Sequence, residues 1–198
     1  NTWLHGNVWD ITTNNQIKDW SIVSIKNNVI TANSVTNLGL FIDNNKTLTV
    51  SGDNQINNTW YLELNGTLDL QNDSQLVQGL TSDLVTSATG KILRRQEGQS
   101  NVYRYNYWSS PVGAQTATTL IDENTSTNNP NNTAFTLNTL KDANGNLVSF
   151  TNGYHQDGSI STYWLYTYQN ATSYWNWQGF DQNTPIATGL GYTQKGGG

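Results

Sequence analysis

The sequence predicts an all-β chain in two parts: a short parallel β-helix over residues 1–90 and an antiparallel β-sandwich-like module over residues 91–198. Three observations carry this expectation. A 20-residue repeat runs through the first part, its short strands alternate apolar with polar residues, and the aromatic residues gather after Gly90. Composition agrees: 29 Asn and 27 Thr stand among 198 residues, with 17 Gly and few strong helix formers, so turns and strands are favoured over helices.

The repeat is clearest between residues 45–56, NKTLTVSGDNQI, and residues 65–76, NGTLDLQNDSQL. Asn45/Asn65, Thr47/Thr67, Leu48/Leu68, Asp53/Asp73 and Gln55/Gln75 are identical, while Val50/Leu70 and Ile56/Leu76 keep apolar character. Trp60/Leu80 and Leu64/Leu84 extend the match. Residues 27–35, NNVITANSV, read as a looser copy with Val29 and Thr31 in the places of Leu48 and Val50. TLTV and TLDL have the period of strands with one buried face. One such coil cannot bury its apolar face alone, whereas coils stacked about 4.8 Å apart bury a continuous core. Stacking would align Asn45 and Asn65 as an amide ladder. Two similar hairpins of a β-sandwich remain the alternative, distinguished by antiparallel rather than parallel pairing.

After Gly90 the period is lost. Lys91–Arg95, Val102–Ser110, Ala134–Leu140, Thr162–Gln169 and Ser173–Phe180 read as strands, and Asn170-Ala171-Thr172 as the turn joining the last two. That hairpin would carry Tyr163 and Leu165 on one face and Trp164, Tyr166 and Tyr168 on the other. Residues 122–133, DENTSTNNPNNT, lack any apolar side chain other than the ring of Pro130 and read as an exposed loop. The first residue is Asn1, Met is absent throughout, and the last four residues are Lys195-Gly196-Gly197-Gly198; together these suggest a piece of a longer chain.

Several chemistries are excluded or disfavoured. Without Cys there is no disulfide framework, Cys-based zinc site or Cys nucleophile. No apolar run approaches the roughly 20 residues of a membrane helix. Nine basic residues against 14 acids, net charge −5, do not make the basic face of a nucleic-acid binder. His5 and His155, the only histidines, read as solvated loop residues. Asp142, Asn144 and Asn146 alternate around Gly145 like the start of a calcium loop, but the downstream Glu is missing and a hairpin turn is favoured. Calcium is thus the one cofactor the residues suggest. Asp53 and Asp73, in register, read as solvated turn carboxylates. Acids and arginines show none of the spacing of a polysaccharide-cleaving site.

The aromatic residues are the most distinctive chemistry. Tyr103, Tyr105, Tyr107, Trp108, Tyr163, Trp164, Tyr166, Tyr168, Tyr174, Trp175 and Trp177 fall in three short strands. Core packing is expected for most of them. A few exposed rings, with Trp164, Tyr166, Trp175 and Trp177 as candidates, would offer flat platforms for sugar rings.

Larger phrases carry a resemblance. Thr2-Trp3…Gly6…Trp9, the Asn-Gly-Thr-Leu repeat at residue 65, Ser74–Gln78 and the basic strand Lys91–Arg95 come in order. They are followed by Tyr107-Trp108-Ser109-Ser110-Pro111-Val112 and by Gly189-Leu-Gly-Tyr192-Thr-Gln-Lys-Gly196. This series resembles large secreted and cell-surface proteins of flavobacteria and other Bacteroidota, in the region ahead of their C-terminal sorting domain. Leu4-His5 departs from the family's usual opening. The resemblance implies export by the type IX secretion machinery to the outer surface of a Gram-negative bacterium, and it brings no catalytic residue. The resulting expectation is a non-enzymatic, adhesin-like structural module acting as a rigid stalk or interaction surface. It would contact surface polysaccharide or other copies of itself, without nucleic acid or membrane insertion. The alternative is a carbohydrate-binding module, and a polysaccharide-degrading enzyme is less favoured.

Overall fold

A computed structural model describes residues 21–79, 82–120, 133–170 and 172–197. The motif around Trp3 and Trp9, His5, Leu80, Ala171 and most of the 122–133 loop lie outside these residues. About 43% of the described residues are strand and 4% helix. It divides into two compact units, Asn1–Gln96 with Gln115–Asn131, and Glu97–Ala114 with Asn132–Gly198.

The first unit is a parallel β-solenoid of about four turns. One sheet stacks β1 (Ile22–Ile25), β3 (Val35–Ile42) and β5 (Gln55–Leu64), with β7 (Gln75–Gln78) and β8 (Asp83–Thr86) side by side on β5. The other stacks β2 (Val29–Thr31), β4 (Thr47–Val50), β6 (Thr67–Leu70) and β9 (Lys91–Arg94). All pairings are parallel. Thr47 faces Thr67 and Leu48 faces Leu68, as the repeat requires, and Val29 faces Leu48 as the looser copy requires. The alternative of two hairpins is thereby removed. Leu48, Val50, Leu68 and Leu70 point inward against Leu40, Ile42, Leu62 and Leu64 to form one apolar column, which is the driving force for stacking.

Where the period fails, the chain departs from the sequence reading. Tyr61 faces Asp83 and Leu62 faces Leu84, so Leu84 stands beside Leu62 and not Leu64. Four residues separate β7 from β8 where two separate their partners on β5, so that coil is longer. The corner between β8 and β9 is longer by two residues again, which brings Ile92 opposite Leu68. Lys91–Arg94 is therefore the last rung of the solenoid and not the opening strand of the second module. Residues 115–118 return to the β8 edge, where Thr118 donates its backbone N–H to Thr86 O at 2.9 Å and Thr86 N–H donates to Thr118 Oγ1 at 2.8 Å. An exposed strand edge is blunted in this way.

The Asn excess has two structural uses here. Asn45, Asp53 and Asn72 hold left-handed φ of 58°, 58° and 52° at the coil corners, a conformation short polar side chains tolerate. The amide ladder expected at Asn45 and Asn65 is not formed. Asn45 is an exposed corner residue, and the Asn65 amide instead donates to Glu63 Oε1 at 2.9 Å. An inward-facing ladder forms instead between Asn37 and Asn58, where Nδ2 of the first donates to Oδ1 of the second at 2.5 Å. Both are buried; the bond satisfies Asn37 Nδ2 and Asn58 Oδ1, while Asn58 Nδ2 is buried without a hydrogen-bond partner. A second column, Ser34, Asn54 and Ser74, links three coils through their hydroxyls and amides.

The second unit holds an antiparallel sheet in the order β10 (Tyr105–Ser109), β15 (Gly191–Lys195), β13 (Tyr166–Thr167), β14 (Gln178–Gly179), and a parallel pair, β11 (Ser149–Thr151) with β12 (Ser159–Ser161). Its core is Phe135, Leu137, Ile160, Leu165, Ile186 and Tyr192, with Trp108 and Phe180 packed against them. Residues 134–140 are not a strand. Phe135 makes a single bridge to Ile186, and Leu137–Thr139 is a 3-10 turn that buries Leu137 completely. The expected hairpin exists, Tyr166 facing Gly179 and Thr167 facing Gln178, but its loop is much longer than three residues.

Candidate functional site

The register of the antiparallel sheet decides which aromatic rings face out. In β10, Asn106 and Trp108 face Gln194 and Tyr192 of β15, while Tyr105 and Tyr107 face Lys195 and Thr193. Alternate residues take opposite faces. Trp108 and Tyr192 therefore turn to the core, and Tyr105, Tyr107, Thr193 and Lys195 share the outer face. Tyr166 pairs with Thr193 and joins them. None of the eleven aromatic residues expected to be mainly core is fully buried; the core rings are instead Phe135 and Tyr192, helped by Trp108. Tyr103, Tyr107, Tyr174 and Trp175 are 84%, 73%, 70% and 84% exposed. The physical reason is parity: in β10 the core face of the strand takes only Asn106 and Trp108.

Tyr107, Tyr168 and Trp177 line an open trough of about 380 Å³ together with Ser109, Gly191 and Thr193, and the core-packed rings Trp108 and Tyr192 also reach its lining. Its volume lies toward the small end of ligand sites, roughly 300–1,000 Å³. The trough exists because small residues on β15 sit between large ones on its neighbours. Tyr168 and Trp177 pack with ring centroids 4.9 Å apart, and the Tyr168 hydroxyl donates to Ser173 O at 3.1 Å. No carboxylate or imidazole is among the residues lining it.

A second group of rings continues along the outer face. Tyr105 lies 6.4 Å from Tyr107 and 6.1 Å edge-on from Trp164. Trp164 then meets Tyr163 at 4.7 Å, and Tyr163 meets Tyr154 at 4.4 Å. The Lys195 ammonium sits 3.4 Å from the centroid of the Trp164 ring and 4.9 Å from that of Tyr105. Burial, followed by the neighbouring hydroxyls of Tyr166 and Tyr107, pushes the Tyr105 phenol above its ordinary value.

The four sequence candidates therefore separate. Trp177 lines the trough. Trp164 carries Lys195 on its ring and donates its indole N–H to Tyr154 O at 2.9 Å. Tyr166 is half-buried in the sheet, and Trp175 lies beside Tyr174 away from the trough lining. The sequence reading missed Tyr168 and Thr193 as part of this surface, and it took Tyr107 only as part of the Tyr-Trp-Ser-Ser-Pro phrase. In that phrase Tyr107, Trp108 and Ser109 line the trough, and Trp108 also packs on the core. Ser110 Oγ donates to Val112 O at 2.7 Å, closing a turn across Pro111. In the phrase at 189–196, Gly189 has φ 83°, Gly191 lines the trough, and a Cβ on Gly196 would overlap the Ser100 carbonyl.

Asp142, Asn144 and Asn146 form a tight hairpin. Asp142 Oδ1 accepts the backbone N–H of Asn144 and of Asn146, at 2.9 and 2.8 Å, and Oδ2 accepts the Asn146 amide at 3.3 Å. These hydrogen bonds hold the Asp142 carboxyl below its ordinary pKa, and a cation would have to compete with them. Asp53 and Asp73 are exposed, with Asp73 N–H donating to Asp53 Oδ1 at 3.1 Å. His155 Nε2 is 2.7 Å from Asp157 Oδ1 at the surface. Among the described residues no three His, Cys, Asp or Glu gather as metal ligands, and no helix is long and apolar enough to cross a membrane. No protein-family model, curated protein or solved structure matches the chain.

Proposed function

We propose that the chain is a non-catalytic, adhesin-like module of an exported cell-surface protein, with the solenoid as a rigid spacer and the aromatic face of the second unit as its interaction surface for glycans. The observation that carries the glycan reading is the trough itself. Tyr107, Tyr168 and Trp177 line it with Gly191 and Thr193. The apolar side of a pyranose stacks on such rings, and its hydroxyls stay turned to solvent. A hydrolase would need two carboxylates across the sugar, and the lining supplies none. Export by the type IX machinery and an outer-surface location rest on the resemblance of the Tyr107–Val112 and Gly189–Gly196 phrases. The adhesin role includes, as its second form, contact with other copies of the chain.

Affinity electrophoresis against a panel of soluble polysaccharides tests this reading. At least one polymer should retard the protein, and Trp177→Ala or Tyr107→Ala should weaken its binding about tenfold or more, the effect of losing about 1.4 kcal/mol. No retardation by any polymer would remove the glycan reading. Release of reducing ends that disappears on substituting one Asp or Glu would overturn the non-catalytic one.

A further inference from the structure

Lys195 is the charged side chain of the outer face, and its surroundings are unusual. It lies in β15 two residues beyond trough-lining Thr193, so its Cα is displaced about 6.8 Å along the strand. Tyr105, whose ring it approaches, is the cross-strand partner of Lys195 and lies next to trough-lining Tyr107. Two rings hold the ammonium from one side, at 3.4 and 4.9 Å. Among the described residues no carboxylate pairs with it. Aromatic faces attract a cation but do not neutralise it. Two rings hold its position, and among the described residues no carboxylate neutralises its charge.

From this geometry we infer that the trough takes an anionic glycan, with Lys195 as the residue that selects for a carboxylate or sulfate on the sugar next to the one stacked at Tyr107, Tyr168 and Trp177. The inference rests on the glycan reading proposed above and narrows it. A neutral glycan could use the rings equally well, but it would leave the ammonium unmatched. An anionic one gains a charge-assisted contact in a position already organised by Trp164 and Tyr105. Net charge does not oppose this, since the trough lining itself carries no acid. The role given to Trp164 changes accordingly, from a sugar platform to the support that aims Lys195.

Three polymers separate the outcomes: a polyuronate, a sulfated galactan and a neutral β-glucan, each run against the wild-type protein, Lys195→Gln, Lys195→Arg and Trp177→Ala. Wild-type protein should bind a charged polymer at least about tenfold more tightly than the neutral one, and added salt should weaken that binding. Preference for the polyuronate identifies the carboxylate as the ligand group, and preference for the galactan identifies the sulfate. Lys195→Gln should remove the preference, Lys195→Arg should keep most of it, and Trp177→Ala should weaken binding to every polymer. Equal binding of neutral and charged polymers by the wild type would overturn the inference and leave the glycan reading standing. Binding to none would remove both. A folded Lys195→Gln that keeps the wild-type preference would also overturn the inference; circular dichroism separates misfolding from lost selectivity, and if that variant does not fold, Lys195→Arg and the salt dependence of the wild type carry the test.

Discussion

The stack Val29, Leu48, Leu68 and Ile92 turns the solenoid into a graded experiment. These four residues face one another across β2, β4, β6 and β9. Val29 is 38% exposed, Leu48 is 4% exposed, Leu68 is 0% exposed, and Ile92 is half-buried at the last rung. Leu68 has an apolar neighbour on each side and Leu62 and Leu64 across the column. Leu68→Ala removes about three methyl-sized groups and leaves a cavity between two occupied coils, a loss of about 3–5 kcal/mol. Ile92→Ala opens toward the end of the stack, where neighbours can relax, and should cost about half as much. Val29→Ala, already exposed, should cost less than about 1 kcal/mol. In a chain of this length each kcal/mol moves the melting midpoint by about 2–4 °C. Leu68→Ala should therefore lower it by roughly 6–20 °C, while Thr67→Ala, on the outward side, should stay within about 0.5 kcal/mol. Thermal and urea denaturation followed by circular dichroism reads all four variants. Equal costs at Leu68 and Val29, or a Leu68→Ala cost below about 1.5 kcal/mol, would refute a column of stacked coils with its core at Leu68.

Two further outcomes follow from the same packing. Burial pushes the Tyr192 phenol up to about 12, so the folded state holds a proton that the unfolded state releases near 10. The stability this represents is complete below pH 10 and is lost as pH rises through about 12, and pH-dependent urea melts should show that loss reduced in Tyr192→Phe. A Cβ on Gly90 would overlap the Leu64 carbonyl, whereas Gly145 has open space and only its φ of 84° to satisfy. Gly90→Asn should cost about 1–3 kcal/mol or more through backbone displacement, and Gly145→Asn should be near neutral because Asn tolerates the left-handed region; similar melting midpoints for the two would contradict this.

The solenoid was legible because its rule is local and repeated. Leu48, Val50, Leu68 and Leu70 each occupy the same step of a short alternation, and the parallel stack only requires that equivalent residues superpose. Legibility ends where the repeat lengthens, between β7 and β8 and again between β8 and β9, and this hides Lys91–Arg94 as a rung of the solenoid. The ladder was placed wrongly for a related reason. Identity of Asn45 with Asn65 marks a shared corner, but the side-chain amides that bond between coils are the inward-facing pair Asn37 and Asn58, which lie outside the clearest copies. The second unit was far less legible. Its strands β13 and β14 have two residues each, too few to display a period, and long-range pairing rather than local preference brings Gly191 and Thr193 between Tyr107, Tyr168 and Trp177.

The failure over the aromatic residues bears directly on function. Burying a ring is strongly favourable, so a chain with eleven rings in three strands was expected to spend most of them in its core. The core of the second unit instead uses Leu137, Leu165, Ile160 and Ile186, with Phe135 and Tyr192, while Tyr105, Tyr107, Tyr154, Tyr163, Tyr168, Tyr174 and Trp175 remain exposed. Smaller polar side chains at those positions would keep the sheet register and the core intact, because neither depends on the outward residues. Contiguous exposed apolar area on a soluble protein usually marks a contact surface. Here that area is organised as well as exposed: Gly191 and Thr193 share the trough lining with Tyr107, Tyr168 and Trp177, and two neighbouring rings, Trp164 and Tyr105, hold Lys195. Stability alone accounts for none of that placement, whereas a ligand with an apolar side and a negative charge accounts for both features.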